Sequence, residues 1–306
     1  MRHESALLFS GGFVSSQPMI SKLRVIFTAS MALLFTTSSY AEPKSKIVLI
    51  AGTVKKNDRV GHHDYSGGVR MIKHLLDQNP QLETEVIFEG WPADESIFDD
   101  AKAVVFYTDG GGKQAYLQTP ERIAAVQRMI DAGVGLVSIH QAVEFPAKHY
   151  SLAAAWVGGL YQPVISGRGH WDSSHDSFPQ HEITRGVSAW KINDGWLNGF
   201  KFPTKMKGVA PLVYSGKIHQ GSSEGGSKDI VAWAFERADG GRSFNYSGLD
   251  AHDSWERDGV RQLMVNGIVW AAGIPVPEGG AKSEADKAIV DSFLTPRIAP
   301  APKKKK

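Results

Sequence analysis

Histidines are the residues of this chain best equipped for chemistry, and they sit where runs of other character stop. His140, Gln141 and Glu144 follow directly on the apolar run 134–139. His62, His63 and Asp64 come after the apolar run 46–50, and Asp109, Gly110, Gly111 and Gly112 close the run 103–107. His170, Trp171, His175, His181, Asp194 and Trp196 lie in a stretch, 158–198, dense in glycine, aromatics and histidine. His252 and Asp253 precede the last long helical pattern. Imidazoles and carboxylates together supply acids and bases near neutral pH, or ligands for zinc, iron or manganese. Consecutive glycines can turn backbone N–H groups toward an oxyanion. Tryptophan faces beside polar groups suit sugar rings, whose C–H faces are apolar and whose hydroxyls need partners. Each residue also has a plainer use in a cap, a turn or the core. What counts is whether topology brings them together.

The apolar runs supply that topology. Runs 46–50, 84–88, 103–107 and 134–139 are short and bounded by turn residues, which predicts strands buried on both faces. Between them lie a helix with Val69, Ile72, Leu75 and Leu76 on one face and Arg70, Lys73, His74 and Asp77 on the other, and a helix 120–132 with proline in its first turn. This alternation predicts a mostly parallel sheet sandwiched by helices, an α/β three-layer fold. Ligands of such sheets bind beyond the carboxyl ends of the strands, where His62, His63, Asp109, His140 and Glu144 are expected. Stretch 158–198 shows little periodicity and reads as a long ordered loop over that edge. Strands follow at 209–214, 230–235 and 243–246, then a helix 255–272 stopped by Gly273 and Pro275.

Residues 1–41 read as a leader. Met19 is the expected initiator, Lys22 and Arg24 give a basic flank, run 25–35 is apolar, and Ser39-Tyr40-Ala41 offers small residues for cleavage. A periplasmic or secreted domain spanning 42–281 is expected, followed by a flexible basic tail, 282–306, that ends in four lysines. The formal charge of the 306-residue chain is +2, and without leader and terminal lysines it falls to about −4. No nucleic-acid surface and no stable membrane insertion are expected.

The chain has no cysteine, which excludes disulfides, thiolate metal sites and a cysteine nucleophile. The turn after run 134–139 lacks the G-x-S-x-G elbow of serine hydrolases. No G-x-G-x-x-G follows the first strand, so neither nicotinamide nor flavin is expected. No HExxH or other compact ligand motif is present. A divalent metal remains an alternative, with His140, His170, His181 and His252 as its ligands.

In the order and spacing of these motifs the chain resembles the ThuA-like (trehalose-utilisation) family. The resemblance runs from Lys46 to about Gly279. It is carried by Gly61-His62-His63-Asp64, by residues 103–112 and 133–144, by Gly169-His170-Trp171, by residues 181–187, and by Ala251-His252-Asp253-Ser254-Trp255. It implies a class I glutamine amidotransferase-like, flavodoxin-like sheet. His140 then stands near the nucleophilic cysteine of the amidotransferases, so glutaminase chemistry is out. It also implies carbohydrate metabolism, on glucosides or their 3-keto derivatives. One departure stands out. Relatives commonly carry Asp-Glu-Trp/Tyr where this chain reads Asp194-Gly195-Trp196.

The expected protein is therefore a secreted enzyme acting on a sugar or keto-sugar by acid/base chemistry. His140 is assigned as base, with His181, His252, Glu144 and Asp194 as acid, orienting or ligand groups. His62, His63, Asp64, Asp109, Gly110, Gly111, Gln141, His170, Trp171 and Trp196 are assigned to substrate. A non-catalytic carbohydrate-binding protein, favoured by the missing glutamate, is one rival, and a metal-dependent hydrolase is another.

Overall fold

The computed structural model describes residues 43–53, 55, 58–217 and 229–297. The expected leader, residues 1–41, and the last nine residues of the tail lie outside the described residues. Strand β1 (Ser45–Ala51) pairs in parallel with β2 (Leu82–Ile87) on one side and β3 (Ala101–Tyr107) on the other. Strand β4 (Gly135–Ile139) continues the parallel set. The chain then forms a separate two-stranded antiparallel ribbon, β5 (Gly167–His175) with β6 (Trp190–Asn198). It returns as β7 (Val209–Tyr214), β8 (Ile230–Glu236) and β9 (Arg242–Tyr246), and the main sheet runs β2-β1-β3-β4-β9-β8-β7. β9 is parallel to β4, and β8, antiparallel to both β9 and β7, is the one strand of this sheet that runs against the rest among the described residues.

Alternation along the strands divides the interior in two. Ile47, Leu49, Val105 and Tyr107 face helices α1 (Tyr65–Leu76) and α4 (Asp258–Ala271). Val48, Ile50, Val104 and Phe106 face α2 (Pro120–Asp131) and α3 (Tyr150–Trp156). That is the expected three-layer α/β sandwich. α1 approaches β3 closely because it opens with glycines. A Cβ on Gly68 would fall 2.1 Å from the Tyr107 ring.

Two expectations fail. Stretch 158–198 is not a loop but contains the β5–β6 ribbon. Its strands alternate as strands should, yet the inward positions of β5 include Gly167 and Ser173, so the alternation lacks hydrophobic contrast. Nor does the domain end at Ala281. Helix α5 (Lys287–Phe293) buries Val290, and the Thr295 N–H donates to Asp64 Oδ2 at 2.9 Å. Arg297 reaches the carbonyls of Arg59 and His63. The amphipathic piece docks on α1, so residues 282–297 are packed chain. Among the described residues no helix is long and apolar enough to cross a membrane.

Candidate active site at the strand ends

The site is built around a residue the sequence reading passed over, Asp250. Its carboxylate is 2% exposed and faces four imidazoles. Oδ2 lies 2.7 Å from His62 Nδ1 and 2.6 Å from His170 Nε2. Oδ1 lies 3.0 Å from His63 Nε2 and 3.4 Å from His140 Nε2. Burial alone would push this carboxyl up. The His140 and His62 imidazoles outweigh burial and hold it far below the usual carboxylate range.

The arms come from four elements. His140 follows β4, His62 and His63 follow β1, Asp250 follows β9, and His170 stands on β5. The loop after β1 and the loop after β9 pair as a short bridge, His62 with Ala251, and the His63 N–H donates to the Asp250 carbonyl at 2.9 Å. His63, His140 and Leu249 all adopt left-handed backbone, with φ of 48°, 58° and 66°. Non-glycine residues rarely do so, and the strain is held only where the surroundings over-determine it. Here the surroundings are polar anchors. The Tyr107 hydroxyl donates to the Leu249 carbonyl, and Asp194 accepts from the N–H groups of Leu249 and Ala251 at 2.7 and 3.0 Å.

The cluster opens on a cavity of about 230 Å³ lined by His63, His140, His170 and Asp250 with Arg168 and Trp196. This is below the ~300–1,000 Å³ of drug-sized sites and suits a single ring. A larger depression of about 1060 Å³ lies elsewhere, along α4 and residues 279–289, and contains none of these groups.

The remaining assigned residues serve other ends. His181 is not in the site: its Nδ1 accepts from the Ile183 N–H, capping a short 3₁₀ turn, and its ring packs on Trp270. His252 is not in the site either. It spans the Val290 carbonyl and Asp64, tying α5 to the domain. Asp64 caps α1. Burial would raise its carboxyl, but donors from His252, Thr295 and Gly67 bring it to about 2. Asp194 is wholly buried and carries the Asp250 loop rather than substrate. Asp109 takes Lys55 at 2.6 Å and the Tyr65 hydroxyl at 2.7 Å, outside the cavity. The expected oxyanion turn is occupied: the Gly110 N–H meets Gln141 Oε1 at 3.4 Å, and the Gly111 N–H donates to the Glu144 carbonyl at 2.7 Å. Glu144 pairs with Arg168 at 3.3 Å, and burial, against that pull, raises its carboxyl. Trp171 stands over Lys217 away from the cavity, whereas Trp196 lines it.

His140 lies at the buried end of the site. It is 3% exposed, its Nδ1 donates to the Ser247 carbonyl at 3.2 Å, and its Nε2 faces Asp250. Gly195, where the resemblance places a glutamate, has no room for a side chain. A Cβ there would fall 2.6 Å from Asp250 Cβ and 2.8 Å from its Oδ2. Asp250 fills the volume that a side chain at 195 would enter, so a carboxylate is present after all. Position alone could have revealed it, since Asp250 stands four residues past β9, at the same sheet edge as the histidines.

A parallel sheet with an imidazole-crowded carboxylate at its carboxyl edge defines an α/β domain that builds its ligand site from strand-end loops. Residues 48–271 match the ThuA family, described as trehalose utilisation, and the chain belongs to that family. No curated protein matches it. Among solved structures it is similar to a ThuA-like protein from Bacteroides uniformis, at 12% identity over 77% of this chain and 94% of that one, with a TM-score of 0.55. It is also similar to a ThuA-like protein from Parabacteroides merdae, at 14% identity over 79% and 98% of the two chains, with a TM-score of 0.52. At these identities the likeness shows the fold.

Proposed function

We propose that this protein acts on a glucoside-derived keto-sugar by acid/base chemistry at Asp250. The observation that carries the proposal is one buried carboxylate shared by four imidazoles beside a ring-sized cavity. Trehalose utilisation, the family's description, supports a carbohydrate substrate in broad terms, and the keto form is proposed here for its chemistry. A 3-keto sugar has an acidic C–H beside its carbonyl. Its removal leads to isomerisation if the proton returns elsewhere, or to elimination if the aglycone leaves.

His170 takes the role first given to His140. Its side chain is 53% exposed, its Nε2–H donates to Asp250, and its Nδ1 has no hydrogen bond among the described residues. A carboxylate that fixes the tautomer and steadies the developing imidazolium is the logic of the serine-protease triad. Arg168, largely exposed, then offers a hydrogen-bonding fork to the sugar, while the buried Trp196 backs the cavity wall. The binding-protein rival rested on the missing glutamate, and Asp250 removes that support.

The test is incubation with a 3-keto-glucoside and its parent glucoside in deuterated water. Deuterium uptake at the carbon beside the carbonyl, above the protein-free rate, is expected. His170→Gln should slow it by about 10²- to 10⁴-fold. Saturable binding with no exchange or product would leave a sugar-binding accessory protein instead. We further propose that the domain works in the periplasm or outside the cell. Mass spectrometry of the native envelope fraction should find Glu42 as the first residue, and intact Met1 or Met19 in soluble cytoplasmic protein would overturn export.

A further inference from the structure

The geometry points to a divalent transition-metal site at His63 Nε2, His140 Nε2 and Asp250 Oδ1. The two oxygens of Asp250 are served differently. At Oδ2 the contacts of 2.6 and 2.7 Å are those of charge-assisted hydrogen bonds, too short for two ligands sharing an ion. At Oδ1 the spacings are 3.0 and 3.4 Å. With metal–ligand bonds of ~2.0–2.2 Å, ligands about 90° to 109° apart are separated by roughly 3.0–3.4 Å.

Hydrogen bonding points the same way. His140 donates Nδ1–H to the Ser247 carbonyl, which leaves the lone pair of neutral imidazole on Nε2. The Gln141 amide nitrogen lies 3.2 Å from His63 Nε2, so that nitrogen is unprotonated and its lone pair is held by the amide until an ion displaces it, while its Nδ1 faces Asp58 at 3.4 Å. Two imidazole nitrogens thus converge on one carboxylate oxygen, and a cation, either a proton or a metal ion, has to sit among them for the arrangement to attract. His140 Nε2 and Asp250 Oδ1 are both buried without a hydrogen-bond partner among the described residues. Such orphaned atoms are rare, and a site whose ligands carry backbone-carbonyl and carboxylate partners on their far nitrogens has the outer support that metal-binding histidines need.

Two imidazoles and one carboxylate with open positions toward the cavity suit zinc, manganese or ferrous ions. The ligands come from the ends of β1, β4 and β9, so no compact motif announces them. Beside His170 such an ion would polarise a keto oxygen. The inference goes beyond the sugar reading and is measured without sugar, so the two fail separately.

The test uses the full chain, stripped with chelator and titrated with Zn²⁺ and Mn²⁺ by calorimetry and thermal melting. One ion per chain and a raised Tm are expected. Asp250→Asn and His140→Gln, each shown folded by circular dichroism, should weaken binding by more than about 100-fold, His62→Ala by about tenfold, and His181→Gln not at all. Loading the wild-type protein with Co²⁺ and counting imidazole ligands by X-ray absorption gives an answer even if a variant fails to fold. No saturable binding by the wild-type protein, or undiminished binding by folded Asp250→Asn and His140→Gln, would overturn the site and leave a proton as the cation among these groups.

Discussion

Asp194 and Asp250 are buried to the same degree within one small region, yet they are different kinds of carboxylate. Asp194 is fed by fixed donors: the N–H groups of Gly195, Leu249 and Ala251 and the Ser254 hydroxyl. Burial still pushes it above the usual carboxylate range, with Ala251, Leu249 and His140 pulling back. Asp250 is fed by side chains that titrate, and it is held far below that range. A carboxylate satisfied by the backbone has no capacity left for a ligand, and it fixes a loop. One satisfied by imidazoles can steady the charge they gain or hold an ion. Partner type, not depth, separates the scaffold from the site.

The sharpest way to break this contrast is to neutralise Asp250. Asp250→Asn should lower turnover by about 10³- to 10⁴-fold, the scale on which a triad aspartate acts, and should leave Tm nearer wild type than any change at Asp194. If it unfolds the protein as severely as loss of Asp194, the two are the same kind after all. Next in size, Asp194→Ala strands three buried N–H groups and a hydroxyl, at a cost on the order of 4 kcal/mol. Urea denaturation measures it, and a loss under about 1 kcal/mol would deny Asp194 its supporting role.

A third buried group sharpens the comparison because it has neither amides nor a strong counter-ion. His175 packs against Trp190 and Trp196, and burial lowers it to about 4, with the Tyr214 carbonyl and Asp176 opposing weakly. Its folded value lies below the ordinary 6.5, so the unfolded chain binds more protons between them. Its stability is present above about pH 6.5 and is lost as pH falls toward 4. The loss is on the order of 3 kcal/mol. Melting curves of wild type and His175→Gln between pH 7.5 and 4.5 should diverge in slope, and parallel curves would refute it. Smallest of all, His181→Ala removes one cap and a ring contact. It should cost about 1 kcal/mol by denaturation and leave turnover unchanged.

The sheet was legible because its strands are apolar runs with no competing reading: β1, β3 and β4 differ from the predicted spans by two residues or fewer at either end. The site was legible only as an edge. His62, His63, His140 and His170 stand where topology puts ligand groups, but so do Asp64 and His252, which hold α1 and α5. What divides them is side-chain direction, and that depends on left-handed backbone at His63, His140 and Leu249. Such backbone carries no sequence signature when the residue is not glycine. Asp250 was passed over because it sits between Leu249 and Ala251 with no histidine beside it to draw notice.

Gly195 and Asp250 also bear on how such a site can change. Their side-chain volumes are mutually exclusive, since a Cβ at 195 already overlaps the aspartate. A carboxylate can reach this spot from β6 or from the loop after β9, but not from both. A sequence moving from one arrangement to the other must empty one position before filling the other. The intermediate has a small residue at both and no acid between the histidines. The two positions should therefore covary as a linked pair, and Gly195→Glu should be tolerated only on an Asp250→Gly background.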